Sequence, residues 1–563
     1  MKNKINIIII SIIYIVISIG ITNFAIKSIQ NRYSPNKNII AFFDKDKINI
    51  VIEDELVNEY GQPIIEGKEI LLPFDLIKKY IDDTIYYDKD RAKITITSDD
   101  KVIRISNNDL QAFLNMEKYT LDASSRYVNG ILYVPIMAFK DIFNIDIQLI
   151  KDEHVLIIDK LKNYKIVGYI NNEQGVIRSD MSLYKPIYKM YNPNDIEVIV
   201  YSTLGDWTKI RTSKGIIGFI ENKYLNTHIE YEKVVIDIRK DIPGTIDTII
   251  FAWEAFYNQT KGDSTVVDSN VLNVISPTWF KIADVAGNIN SFAEATYVQK
   301  AHELGYQVWP LVSNTFSDIE MTSEILRNTD VRDNIIRQII AFSAIYEFDG
   351  ISVDLENIYL KDKDVYTQFI RELVTLAHKS NLLISVAVGI PEGSETYSKC
   401  YDHKQLGIIA DYIMVMTYDQ YYGSSKTAGS QAQVSWVEKN LEKTLELVDS
   451  QKLVMGIPLY TRLWEITSKG ACNIRNYSID GAKQLIEDKN ATIKWDNESG
   501  QYVATYNEKG NTYKMWLEDE SSIKEKVALV NKYDLKGVCL WELNWGNDSI
   551  WEAINEVISK GGE

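Results

Sequence analysis

Asp354 and Glu356 stand two residues apart in the run Phe348-Asp349-Gly350-Ile351-Ser352-Val353-Asp354-Leu355-Glu356-Asn357. Ile351, Val353 and Leu355 alternate with Ser352, Asp354 and Glu356, so a strand period of two puts the second trio on one face. Apolar runs on both sides predict a parallel strand covered on both faces, with its acids aimed into a barrel or crevice. Carboxylates in this relation lie about 6–7 Å apart at Cα. Their repulsion raises one pKa, and a raised Glu suits a general acid near neutral pH. Both acids share one wall, which is poorly suited to acid and opposite-face nucleophile across one sugar ring. Glycosidase chemistry here would need another nucleophile, and an N-acetyl oxygen on the substrate is the natural candidate. The plain alternative is a solvated strand edge with two stray carboxylates.

The elements around this run fit an active site. From about residue 233 the pattern alternates strand, loop and helix, with strands expected near 247–253, 271–278, 306–312, 348–356, 383–389, 411–418, 452–459 and 537–543, and helices such as Val331–Tyr346 and Tyr366–Lys379. Eight parallel strands with crossover helices predict an α/β fold, the TIM (β/α)8 barrel, over 233–563. Chemistry in that fold sits at the carboxyl ends of strands, where Glu356 falls. Tyr412, Met414, Met416 and Tyr418 share a face of strand six, a stripe that is usually core. About 75 residues separate Arg462 from Gly537, too many for a loop. They predict a small α+β insertion at about 465–535, between strands seven and eight. Trp253, Trp279, Trp309, Trp464 and Trp545 fall near expected strand ends, some as sugar platforms.

Asp349, Gly350, Asp354 and Glu356 resemble the Asp-Gly-x-Asp-x-Asp-x-Glu signature of glycoside hydrolase family 18. Ser352 stands where that family carries Asp or Asn, which bears on the proton balance of Asp354. The resemblance implies that Glu356 is the acid and that Asp354 orients the acetamide. Asp349 has the wrong parity for that face and reads as structural. Met416-Thr417-Tyr418-Asp419 resembles the family's Met-x-Tyr-Asp, which implies a Tyr418 hydrogen bond to the acetamide and sugar contacts from Met416 and Asp419. Gly456–Trp464 resembles Gly-x-Pro-x-Tyr-Gly-Arg-x-Trp, with Thr461 departing from Gly, and adds Tyr460 and Arg462 to the binding residues. Trp541 stands where the family has the floor of the −1 subsite. The implied reaction is substrate-assisted hydrolysis with retention, on chitin, peptidoglycan or N-glycan cores; similarity to spore and cell-wall members favours peptidoglycan. A rival reading is a lectin-like barrel with weak or no activity, to which Ser352 points.

The 563 residues carry a formal net charge of −17, which argues against a nucleic-acid partner. Cys400, Cys472 and Cys539 and the five histidines are scattered, giving neither a metal spacing nor a disulfide framework. No cofactor is expected, and the chain is expected to act as a monomer. Ile5–Ile26 is an apolar run about 33 Å long as a helix, preceded by Lys2 and Lys4 within residues 1–4. It reads as a membrane-spanning signal-anchor, alternatively a cleaved signal peptide, with the chain beyond it on the outer face of a bacterial membrane, against the cell wall. Residues 30–45 read as a polar linker. Residues 46–160 contain a repeat at a spacing of about 62 residues: Ile70–Phe74 and Leu132–Pro135 each precede a helix and a hairpin. This α+β module resembles the stalk-like domain named after the N-terminal domain of copper amine oxidases, without copper ligands here. Residues 165–227 predict a small barrel resembling a bacterial SH3-like domain, in which Tyr201 and Trp207 line a groove or pack a core.

Overall fold

The computed structural model of the chain describes residues 18–19, 21–23, 35–171, 175–189, 197–231, 246–256, 266–468 and 470–560. Apart from residues 18–19 and 21–23, the apolar run at 5–26 lies outside them. Among the described residues no helix is long and apolar enough to cross a membrane. The chain forms two compact units, Met1–Asp83 with Leu121–Asp237, and Thr84–Thr120 with Ile238–Glu563.

In the first unit the sheet of residues 126–128, 131–135, 69–73 and 64–66 joins both copies of the repeat. Leu72 pairs with Val134, its equivalent in the other copy, so the two strands run antiparallel about a local pseudo-two-fold. The helix expected after Pro135 is only the turn Met137–Phe139. The second hairpin, Ile145–Ile150 with Val155–Lys160, adds Asn49–Ile52 in parallel. Residues 30–45 are not all linker: Ile39–Ile40 pairs with Ile187–Tyr188, and Phe43 packs on Val51, Val155 and Ile217, because these side chains are apolar. Residues 164–170, 197–204, 207–212, 217–221 and 225–231 form a five-stranded antiparallel sheet around Val198, Ile210 and Ile220.

The second unit is built on eight parallel strands: β1 (Ile249–Glu254), β2 (Val274–Pro277), β3 (Gln307–Val308 and Leu311–Ser313), β4 (Gly350–Asp354), β5 (Leu383–Gly389), β6 (Tyr412–Met416), β7 (Leu453–Pro458) and β8 (Gly537–Trp541). β1 pairs with both β2 and β8, and the two halves of β3 pair with β2 and β4, so the barrel closes. The strands fall where the sequence pattern places them. Helices α1 (Ala295–Glu303), α2 (Ile319–Arg327), α3 (Thr329–Tyr346), α4 (Lys363–His378), α5 (His403–Ile409) and α6 (Val434–Leu445) follow in order, with α7 (Ile479–Lys489), α8 (Glu520–Tyr533) and α9 (Asp548–Lys560) towards the end.

Alternation sorts the barrel into two layers. Phe251, Trp253, Trp309, Leu311, Tyr412, Met414 and Cys539 fill the interior. Ile250, Ala252, Val312, Ile351, Val353, Leu355, Ile413 and Val415 join the packing outside the strands. Ser352 and Asp354, of opposite parity to Ile351 and Val353, are therefore on the interior face. Gly350 opens β4 where a Cβ would lie 2.7 Å from the Leu383 carbonyl oxygen and 3.0 Å from the Trp309 ring.

Between β7 and β8 runs a five-stranded antiparallel sheet in the order 470–478, 460–467, 511–516, 501–508, 492–496. Ala482, Leu485 and Ile486 of α7 pack on its Leu463, Ala504 and Met515. Its first strand starts at Tyr460, earlier than the expected 465, because Tyr460–Trp464 continues in extended conformation. Residues 84–120, expected within the 46–160 module, form a separate antiparallel sheet that packs with the barrel.

Candidate active site

β4 delivers Asp354 and Glu356 at its carboxyl end. Asp354 is buried (9 % exposed), and its Oδ1 accepts no hydrogen bond. Burial pushes its carboxyl well above the ordinary range, and the Glu356 charge adds to this. Glu356 is half-buried, and burial, then Asp419, pushes it up to about 7. Burial is the first cause of both shifts, and the added charge differs: Glu356 for Asp354, and Asp419 for Glu356.

The backbone that carries these acids is held from three sides. Asn314, buried at the end of β3, accepts from the Glu356 N–H at 3.0 Å and donates through Nδ2 to the Glu356 carbonyl at 2.8 Å. Its Nδ2 also donates to the Thr322 hydroxyl at 2.8 Å. The Tyr401 hydroxyl donates to the Leu355 carbonyl at 2.9 Å, between the two acids. Asn357 takes a left-handed conformation (φ 53°) and donates to the Phe316 carbonyl, which ends the strand. The sequence reading singled out neither Asn314 nor Tyr401; an Asn at a strand end next to the acid-bearing strand was the available signal.

Ser352 is fully buried, and its hydroxyl accepts from Trp253 Nε1 at 3.4 Å. A neutral hydroxyl thus occupies the position below Asp354. Asp349 lies at the opposite end of the strand, where Oδ2 accepts the Val308 N–H at 2.8 Å and meets His302 Nε2 at 2.9 Å. That is a fastening between β4, β3 and α1, away from the acids. Gly350 is at that end too.

Tyr418 follows β6 and is half-buried, and its ring lies against Gly456, where a Cβ would be 3.0 Å from Cε1. Burial pushes its phenol up, with contributions from Cys539, Asp354, Tyr460 and Glu356, so it shares the electrostatic space of both acids. Tyr397, 43 % exposed in the helical turn Glu395–Lys399 after β5, is also raised, by burial and Glu356, and was not anticipated from the sequence. Asp419 is exposed in a left-handed conformation (φ 59°) and receives the Tyr460 hydroxyl and Arg462 Nη2, the latter at 2.9 Å. Tyr460 and Arg462 are themselves buried (4 % each), with Arg462 also bonded to Asn476 and the Tyr421 carbonyl. They position Asp419. Thr461 is fully buried and its hydroxyl accepts the Glu518 N–H at 2.9 Å, tying the strand after β7 to the chain entering α8.

Half-buried Trp541 packs edge-on against Trp253 at 6.2 Å, and Met416 is half-buried at the end of β6. Of the five tryptophans expected near strand ends, Trp253, Trp279, Trp309 and Trp464 are at most 2 % exposed and belong to the core; Trp545 keeps exposed surface. Their indoles fill interior volume close to the site, which the strand-end pattern does not distinguish from a platform. Among the described residues no group of three or more His, Cys, Asp or Glu side chains could hold a metal ion.

A parallel eight-stranded barrel with two raised carboxyl groups at the end of its fourth strand is an arrangement that fits a glycosidase. Residues 216–546, more than half of the chain, match the glycosyl hydrolases family 18, and the chain belongs to that family. Residues 51–158 match the copper amine oxidase N-terminal domain. A glycosylase of Bacillus subtilis, described as uncharacterized, is 25% identical over 311 residues, 53% of this chain and 89% of its own length. A cortical fragment-lytic enzyme of the same organism is 27% identical over 252 residues, 44% of this chain and 58% of its own, so the match spans little more than half of that relative. Among solved structures, the spore cortex-lytic enzyme of Bacillus megaterium is 21% identical with a TM-score of 0.49, over 56% of this chain and 75% of its own.

Proposed function

We propose that the chain cleaves β-1,4 bonds next to N-acetylglucosamine in a cell-wall glycan by substrate-assisted retaining catalysis. The supporting observation is the same-wall placement of Asp354 and Glu356, both with raised affinity for protons. Glu356, titrating near 7, donates its proton to the glycosidic oxygen. The acetamide oxygen of the −1 sugar attacks C1 as that bond breaks, giving an oxazolinium ion. Asp354, whose carboxyl is pushed by burial well above the ordinary range, and the Tyr418 hydroxyl hold the acetamide. Water, losing a proton to Glu356, then opens the ring with net retention. Trp541 offers the apolar indole face on which a pyranose stacks, and Met416 and Asp419 contact the sugar.

Peptidoglycan is the preferred substrate, supported by the cortical fragment-lytic name of a relative. The chain acts as a monomer at the cell surface, anchored by the segment at 5–26, or is secreted if that segment is removed. The sheet of residues 164–231 serves as an SH3-like module against the wall, and the α+β insertion walls one side of the groove. To test this, the chain after residue 30 is incubated with peptidoglycan and with chitin oligomers, and new reducing ends are read by mass spectrometry beside Glu356→Gln. New N-acetylglucosamine ends from peptidoglycan, absent in the mutant, are expected. Cleavage of chitin oligomers alone would overturn the wall substrate. Binding without product from either would favour a lectin-like protein and make Ser352→Asp the next variant.

A further inference from the structure

We infer that residues 84–120 are a working part of the catalytic unit: their sheet clamps α3 and α4, and through these helices it positions β4 and its acids. The inference rests on the reading of Glu356 as the acid. In sequence α3 immediately precedes β4, and α4 follows Glu356. Whatever fixes both helices therefore fixes the strand between them.

The contacts are specific and largely buried. Asp88, 3 % exposed, accepts the Thr329 N–H at 3.1 Å and the Thr329 hydroxyl at 2.9 Å, at the first residue of α3. Arg104, 6 % exposed, reaches Asp333 on α3 through Nε and Nη2 at 3.2 and 2.6 Å. The same Nη2 lies 3.0 Å from Glu372 on α4. Glu372 is fully buried and also takes Nε and Nη2 of Arg332, both at 3.0 Å. Arg332 lies 5.0 Å over the Tyr86 ring and donates to the Leu326 carbonyl of α2 at 2.7 Å. Burial pushes the Glu372 carboxyl up, and Arg104 and Arg332 more than reverse this, holding it below the ordinary range. Gln368 to Thr97 at 3.3 Å and Thr375 to the Ser98 carbonyl at 3.0 Å extend the seam along α4. Val102 belongs to the same apolar cluster as the outer strand faces.

A spacer would need none of this. Arg104 and Arg332 balance Asp333 and Glu372, two charges against two, and loss of Arg104 leaves the seam one cation short. The sheet thus completes an ion network that the barrel alone leaves open. A barrel cut out at residue 216 or 233 would lack Asp88, Arg104 and Tyr86.

The test uses the full chain and three variants: Arg104→Ala, Arg104→Lys and the milder Thr375→Val. Hydrogen exchange is read by mass spectrometry in 329–346, 363–378 and, as a reference, 520–533. kcat and KM are measured on a fluorogenic N-acetylglucosamine oligomer. Arg104→Ala is expected to speed exchange in α3 and α4 by about tenfold while α8 keeps its parent rate. kcat should fall by about fivefold with KM within about twofold. Thr375→Val should give the same pattern in smaller measure, and Arg104→Lys, which keeps the charge but not the fork, a partial recovery. Unchanged exchange in α3 and α4, an equal rise in α8, or unchanged kcat would each overturn the inference. If Arg104→Ala fails to fold, Thr375→Val decides by the same two readouts. A parent inactive on every glycan would refute the proposed function, while the exchange data would still judge the clamp.

Discussion

Asn314→Ala isolates the positioning of the acid from the acid itself. The substitution removes the bond from the Glu356 N–H (3.0 Å) and the bond to the Glu356 carbonyl (2.8 Å). A buried group left without its partner costs about 1–3 kcal/mol. The Glu356 segment is half-buried, so water can reach part of it, and the lower end, about 2 kcal/mol for the pair, applies. That energy resists displacement of Glu356, and without it the segment can drift. A drift of about 1 Å at a catalytic group costs about 10²-fold in rate. We therefore expect kcat on a fluorogenic N-acetylglucosamine oligomer to fall about 30- to 100-fold, with KM within about threefold, because Trp541 and Met416 are untouched. Asn314→Asp keeps an acceptor for the Glu356 N–H, offers the carbonyl no donor, and adds a negative charge. It should lose less kcat and shift the alkaline limb of the pH profile upwards. An Asn314→Ala enzyme within about twofold of the parent kcat would refute the reasoning.

Glu356→Gln should lower kcat by about 10²- to 10⁴-fold and retain oligomer binding by calorimetry. Because Glu356 titrates at about 7 and must start protonated, kcat/KM should decline above about pH 7. Asp419→Asn removes one of the charges that raise Glu356, so the decline should move to lower pH; a limb that stays in place would leave burial as the sole cause. Glu356 binds its proton more tightly folded than unfolded, so the stability it contributes is full below the ordinary carboxylate pKa and is lost as pH rises through about 7. The melting midpoint of Glu356→Gln should accordingly exceed the parent's at pH 8 and match it at pH 4. Gly350→Ala forces a Cβ to within 2.7 Å of the Leu383 carbonyl oxygen and should cost about 1–3 kcal/mol in denaturant unfolding.

The face that carries Ser352 and Asp354 was legible because a strand's period is two and both neighbouring layers are apolar. Rank along a strand was legible as well, which is why Glu356 could be set at a carboxyl end. The tryptophans show the limit. Trp253, Trp279, Trp309 and Trp464 occupy the positions that a sugar platform would, yet their indoles are enclosed, and enclosure depends on neighbours far away in sequence. Tyr460 and Arg462 are side by side with Asp419 in space and some forty residues from it in the chain, so their support of that carboxylate is not visible in a pattern of residue types. Asn314 belongs to no motif, since its partner is a backbone. The place of residues 84–120 was hidden for the same reason: the repeat sets their internal pairing, and Asp333 and Glu372 set where they dock.

The seam between that sheet and the helices also sets a schedule for folding. Its bonds join residues 229 to 277 positions apart. A chain made from its N-terminus at about 5–20 residues per second exposes Asp88 and Arg104 for roughly ten to fifty seconds before their partners exist. Closure of the barrel waits longer still, because β1 pairs with β8 near the other end. Long-range pairings of this kind fold late and slowly. The five-stranded sheet must therefore persist meanwhile on its own hairpins, with Asp88 held by Arg91 and Arg104 by Thr95 within it, and it becomes part of an enzyme only when the last strand arrives.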